Sequence, residues 1–93
     1  MPVVSLVLEV RLSGCVTARQ KMSQTEAILD KLRRHFNVSV ANLSRAEPVE
    51  AAALGFAVVA KTSREAREIL DRVTDAVAAH PRAEILKAAL NEL

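Results

Sequence analysis

Aromatic side chains are almost missing from this sequence: it has no tryptophan and no tyrosine, and Phe36 and Phe56 are its two phenylalanines. Surfaces that bind by stacking on nucleic-acid bases or on sugars depend on such rings, so this poverty counts against both. Cysteine is scarcer still. Cys15 stands alone, which rules out an internal disulfide. Long apolar runs are absent as well, because Glu9 and Arg11 interrupt the first and Lys61 closes the second, so no stretch approaches the roughly 18 residues of a membrane span. No basic n-region followed by an apolar h-region opens the chain, and the expected compartment is the cytoplasm.

What is there is a balanced chain of 93 residues, about half apolar and supplied chiefly by Ala, Val and Leu. That length fits a single domain over residues 1–93 with one core. The formal net charge of +2 is too mild to announce a nucleic-acid binder. Its distribution is uneven, however. Arg19, Lys21, Lys31, Arg33 and Arg34 face only Glu26 and Asp30 between Val16 and Asn37, so the positive charge sits on one element.

Hydrophobic patterning orders the elements. Val4, Leu6, Leu8, Val10 and Leu12 alternate with more polar residues from Val3 to Leu12, which predicts a half-buried strand. Gly14 breaks it. Thr17 and Gln20 form a capping-box pattern, and Ala18, Met22, Leu29, Leu32 and Phe36, with Ile28 alongside, give the apolar stripe of a helix packed on a sheet. Asn37 to Leu43 reads as a second strand. Ser44 to Ala53, with Pro48, reads as a connection, within which Val49 to Leu54 could add a helical turn. Leu54 to Lys61 reads as a third strand.

Thr62 and Glu65 then repeat the capping-box pattern. Ala66, Ile69, Leu70, Val73, Ala76 and Val77 recur at helical spacing until Pro81 stops the helix. In the tail, Ile85, Leu86, Ala89, Leu90 and Leu93 fit a helical period better than an alternating one. Topology requires the opposite. Two strand-helix-strand halves close only if residues 83–93 supply a fourth strand, and the expected fold is α+β: a ferredoxin-like βαββαβ sandwich with a four-stranded antiparallel sheet and two helices on one face.

Several strings also resemble the YlxP-like family of small bacterial proteins of unassigned function. They are Phe36-Asn37-Val38-Ser39-Val40-Ala41 after Leu32-Arg33-Arg34, Leu54-Gly55-Phe56-Ala57-Val58-Val59, and His80-Pro81 followed by Ala83-Glu84-Ile85-Leu86. The resemblance implies the same ferredoxin-like fold and, because members are commonly encoded beside translation initiation and ribosome-maturation factors, a role near RNA or the ribosome. The polar strings diverge. Thr17-Ala18-Arg19-Gln20-Lys21-Met22 dilutes the family's basic start of the first helix, and Arg45-Ala46-Glu47 with Val49 replaces its His-Gln-Asp string and nearby Trp.

Three functional expectations follow. The first is contact with RNA phosphates through Arg19, Lys21, Arg33, Arg34 and Arg45, the salt-dependent and sequence-independent kind of binding; the commoner role for such charges is to solvate a helix face. Base stacking of the RNA-recognition-motif kind has no aromatic platform here. The second is a protein-interaction module, a homodimer joined through the open sheet face carrying Ser5, Val7, Ser39, Ala41, Ala57 and Val59. The third is an acylphosphatase-like hydrolase of acyl phosphates, with Gly14, Arg19 and Asn42 in the anion-holding and water-positioning roles. That family's glycine-rich string is missing, so the adopted reading is non-enzymatic, with no catalytic residue. His35 and His80 lack ligand spacing and Cys15 has no local histidine, so no metal site, cofactor or cysteine nucleophile is expected.

Overall fold

The computed structural model describes residues 1–93. Its elements run β1 (Val3–Leu12), α1 (Ala18–His35), β2 (Ser39–Asn42), β3 (Ala51–Val59), α2 (Ser63–Ala78) and β4 (Ala83–Glu92). The strands form one antiparallel sheet in the order β2-β3-β1-β4, so the two halves interleave and β1 pairs on both sides. Fold class and the strand nature of the tail are as the sequence predicts.

The alternation of β1 sends Val4, Leu6, Leu8, Val10 and Leu12 to the helix side, where all five are buried, and Leu54, Phe56 and Val58 of β3 join them. From above, α2 adds Ala66, Leu70, Val73 and Val77. Ile69 lies only partly buried and Ala76 is exposed, which narrows the predicted stripe. Fully burying such a Leu or Val contributes about 1.5–3 kcal/mol each. Thr62 caps α2 by accepting from the Glu65 N–H at 3.1 Å.

On α1 the buried face differs from the one predicted. It consists of Lys21, Thr25, Ile28, Leu29 and Leu32, while Met22 is 63% exposed and Ala18 also faces solvent. The spacing is helical, but its first half is polar, and hydropathy alone assigns Met22 inward and Lys21 outward.

Strand limits shift too. Ala51 to Ala53 extend β3 against Arg11 to Glu9 of β1, where the sequence reads as a connection, and no helical turn forms at Val49 to Leu54. β2 shrinks to Ser39–Asn42, and β3 ends at Val59 instead of Lys61. β4 carries a bulge: Glu9 pairs with Lys87 but Val10 pairs with Ile85, which leaves Leu86 as the extra residue. That insertion disturbs the alternation. Ile85, Ala88 and Leu90 share the helix side while Lys87, Ala89 and Asn91 share the open side, as their β1 partners dictate.

Candidate functional site

The loop between β2 and β3 is held by the helix in front of it. Lys21 is only 4% exposed, and its Nζ donates to the carbonyl oxygens of Arg45 at 2.5 Å, Pro48 at 2.9 Å and Ala51 at 2.9 Å, with that of Ala46 at 3.4 Å. An ammonium has three protons, so the long Ala46 contact shares one. No carboxylate pairs with Lys21; backbone dipoles alone compensate the buried charge, as burial of a cation demands. Nearby, the Thr25 hydroxyl is buried without a partner.

This arrangement removes Lys21 from the expected RNA-facing set, because its ammonium is enclosed by the loop. The other four members are exposed but dispersed. Arg33 pairs with Asp30, and Arg34 donates to the Asp30 carbonyl at 3.3 Å. Both stand in the last turn of α1, where cations complement the helix dipole. Arg19 lies in the first turn, about 21 Å away at 1.5 Å per residue. Arg45 projects from the loop, and neither Arg19 nor Arg45 has a carboxylate partner.

Three backbone N–H donors at the start of α1, those of Val16, Thr17 and Gln20, are already engaged by the cap. Gln20 Oε1 accepts the Val16 N–H at 2.8 Å and the Thr17 N–H at 3.2 Å, and Thr17 Oγ1 accepts the Gln20 N–H at 3.1 Å. Gly14 takes φ 85°, the left-handed turn that glycine adopts freely. Asn42 is engaged as well: it donates to Glu26 Oε2 at 3.2 Å and accepts from the Ser44 N–H at 3.0 Å. Cys15 is buried, and no group of three or more His, Cys, Asp or Glu side chains comes together as a metal site.

The side of the sheet away from the helices has no covering element. Ser39, Ala41 and Val59 are exposed there, and Ser5, Val7 and Ala57 are half-buried. Two larger side chains outside the expected set dominate this face. Leu43 is 49% exposed and lies across Gly55, where a Cβ would stand 2.7 Å from Leu43 Cδ1; Leu86, at the bulge, is 50% exposed. They flank a trough of about 550 Å³ whose floor includes Val7, Ala51 and Ala53, and Leu43 also borders a shallower hollow of about 230 Å³ over Ser5, Ala41 and Ala57. The signals were present: a leucine one step beyond β2 and diagonal to a glycine, and two successive apolar residues, Ile85 and Leu86, inside a strand.

Charge on this side is balanced. Glu9 faces Lys87 across the ladder, Arg11 donates to Glu84 at 3.2 Å, and Arg45 and Glu47 stand together on the trough's rim. No helix is long and apolar enough to cross a membrane.

Fold and site together define a ferredoxin-fold domain with a bare sheet face and a lysine-fastened loop. Residues 3–90 match the family model described as protein of unknown function (DUF503), and the chain belongs to that family. No curated protein matches the sequence. Among solved structures, the chain is similar to the de novo designed protein LFR1 1 with ferredoxin fold, at 13% identity and a TM-score of 0.59 over 100% of this chain and 84% of that one. It is also similar to a protein described as a chlorite dismutase, TA0507, at 11% identity and a TM-score of 0.55 over 99% of this chain and 44% of that one. A third likeness is to the de novo designed protein Foldit4, at 11% identity and a TM-score of 0.50 over 99% and 94%. These likenesses concern the fold alone.

Proposed function

We propose that this chain is a non-enzymatic interaction module of the YlxP-like kind, working in the bacterial cytoplasm, whose bare sheet face joins a second copy of itself. The observation that carries the reading is the pair Leu43 and Leu86, half-exposed on either side of a trough lined by small residues. Two copies related by a two-fold axis can each seat these leucines in the other's trough. The charges favour the same occupant. Three acidic groups, Glu9, Glu47 and Glu84, balance three basic ones, Arg11, Arg45 and Lys87, so the face is neutral in sum and complementary to itself, whereas a polyanion needs a positive excess. β1 and β4 of ten residues and β3 of nine give a face about 30 Å long and about 14 Å wide, which the four residues of β2 widen to about 19 Å at one edge. That is within about a factor of two of the roughly 800 Å² per partner of a standard interface. Static light scattering at tens of micromolar tests this, with a dimer mass as the expected result.

A second reading, an auxiliary role at RNA or the ribosome, draws on Arg19 and Arg45, the two exposed arginines of the expected set without a carboxylate or carbonyl partner. It is tested by pull-down of ribosomal RNA at two salt concentrations with an Arg19→Gln, Arg45→Gln variant beside the parent. Retention that falls with salt and is weakened in the variant supports it. The acyl-phosphate hydrolase reading would need Asn42 released from Glu26 and Ser44 to position a water, and loss of benzoyl phosphate at the buffer rate would end it.

A further inference from the structure

A different surface carries a small-molecule proposal that is independent of the dimer. α1 and α2 touch each other little, and residues from the C-terminal halves of both line a groove of about 330 Å³. That volume is at the lower end of small-ligand sites. Ile28, Leu32, Phe36, Ala76 and Ala79 supply its apolar lining. Lys31, His35 and His80 are its polar side chains, and no Asp or Glu lines it. Both histidines of the chain, 45 positions apart in sequence, therefore border one cavity.

The hydrogen bonds give these rings opposite roles. His35 Nδ1 lies 2.8 Å from the Lys31 carbonyl oxygen, which can only accept, so Nδ1 carries the proton. His80 Nδ1 accepts the Arg82 N–H at 3.2 Å, so in the neutral ring Nε2 carries the proton and is left as a donor. The Lys31 ammonium has neither an ion-pair nor a hydrogen-bond partner, and the adjacent Asp30, which points away one position earlier on the helix, pairs with Arg33. A cation and an imidazole donor thus border an apolar trough. From Ile28 to Phe36 the α1 wall runs about 12 Å, the scale of an extended medium-length alkyl chain.

We propose that this groove binds an amphipathic monoanion, a carboxylate on a linear apolar chain, with the alkyl body along Leu32 and Ala76 and the head group toward Lys31. The head group meets an unpaired ammonium and no competing carboxylate in the lining, and the chain replaces water over the apolar floor.

The test is an NMR titration of the isotopically labelled full chain with sodium octanoate, sodium acetate and n-octanol. Lys31 and Ala76 are both exposed, so the variants Lys31→Gln and Ala76→Leu keep the core intact. Expected are saturable octanoate shifts at Leu32, Phe36, Ala76 and Ala79, no response to acetate, and octanol binding about tenfold weaker than octanoate. Lys31→Gln should weaken octanoate about fivefold to tenfold and leave octanol unchanged, and Ala76→Leu should block both by filling the groove. Octanol binding as tightly as octanoate, shifts centred on Leu43 and Leu86 instead, indifference to Lys31→Gln, or no saturation at millimolar octanoate would each overturn the proposal.

Discussion

The Lys21 ammonium lies 2.9 Å from the Pro48 carbonyl oxygen and 2.9 Å from that of Ala51, so one helix side chain closes the loop that starts β3. Replacing it with an apolar side chain of similar length strips buried carbonyls of their donor, and each such loss costs about 1–3 kcal/mol. Lys21→Met is therefore expected to lower the urea midpoint by the equivalent of about 2–3 kcal/mol. Met22→Gln, one residue on and exposed, should stay within about 0.5 kcal/mol of the parent. Equal effects of the two changes would show that the ammonium does not hold the loop.

Gly55 and Leu43 form a second coupled pair. A methyl group at Gly55 would meet Leu43 Cδ1 at 2.7 Å, and overpacking of this kind costs about 1–3 kcal/mol unless the neighbour moves. The obstacle is a flexible side chain at the surface, so Gly55→Ala should fall near the lower bound. Leu43→Ala in the same chain should recover most of the loss. Chemical denaturation of the two single variants and the double variant measures the coupling, and strict additivity would contradict it.

Glu92, near the end of β4, titrates against α2. Ser63 Oγ donates to its Oε2 at 2.7 Å and Arg67 donates to Oε1 at 3.2 Å, and these bonds to the charged form hold the carboxyl below its ordinary value of 4.5. A depressed folded pKa makes the contribution to stability fully present above the unfolded value and lost as pH falls through the folded one. The contribution is therefore fully present near neutrality, and the pH dependence is confined to pH below about 4.5. Ser63→Ala should raise the Glu92 pKa followed by carboxyl NMR, and Arg67→Gln should raise it less. An unchanged titration in both variants would show the bonds to be transient in solution.

The helix caps give a fourth expectation. Thr17→Ala removes the acceptor of the Gln20 N–H at the start of α1 and should cost about 1 kcal/mol. Gln20→Ala frees the Val16 and Thr17 N–H groups that its amide oxygen accepts. If the engaged cap is what denies the first helix an anion site, phosphate should protect Gln20→Ala against thermal unfolding more than it protects the parent. Equal protection would remove that explanation.

Much of this architecture is readable from residue spacing, because β1 alternates cleanly and α2 keeps its leucines and valines at helical intervals. Where spacing misleads, a particular residue is responsible. Leu86 adds one position to β4, so Ile85, Leu86, Ala89 and Leu90 imitate a helical repeat although every one lies in a strand. Lys21 reads as a surface cation because hydropathy has no term for a loop that brings carbonyls to an ammonium. Met22 then takes the inward role by default. Ala51 to Ala53 carry too little hydrophobic contrast to mark the start of β3, which is set by pairing with Arg11 to Glu9. The open face was legible in its small residues, whereas Leu43 and Leu86 depend on a strand end and a bulge that only the register shows.

Whether the bare sheet face joins two copies is measured most directly by the mass of the parent and of Leu86→Lys in light scattering across a concentration series. Leu86 is half-exposed outside the core, so the lysine variant retains the fold, which its amide NMR spectrum verifies. The expected result is twice the chain mass for the parent at tens of micromolar and a shift of Leu86→Lys to the monomer. A parent that stays monomeric throughout, or a dimer that Leu86→Lys leaves intact, would contradict it.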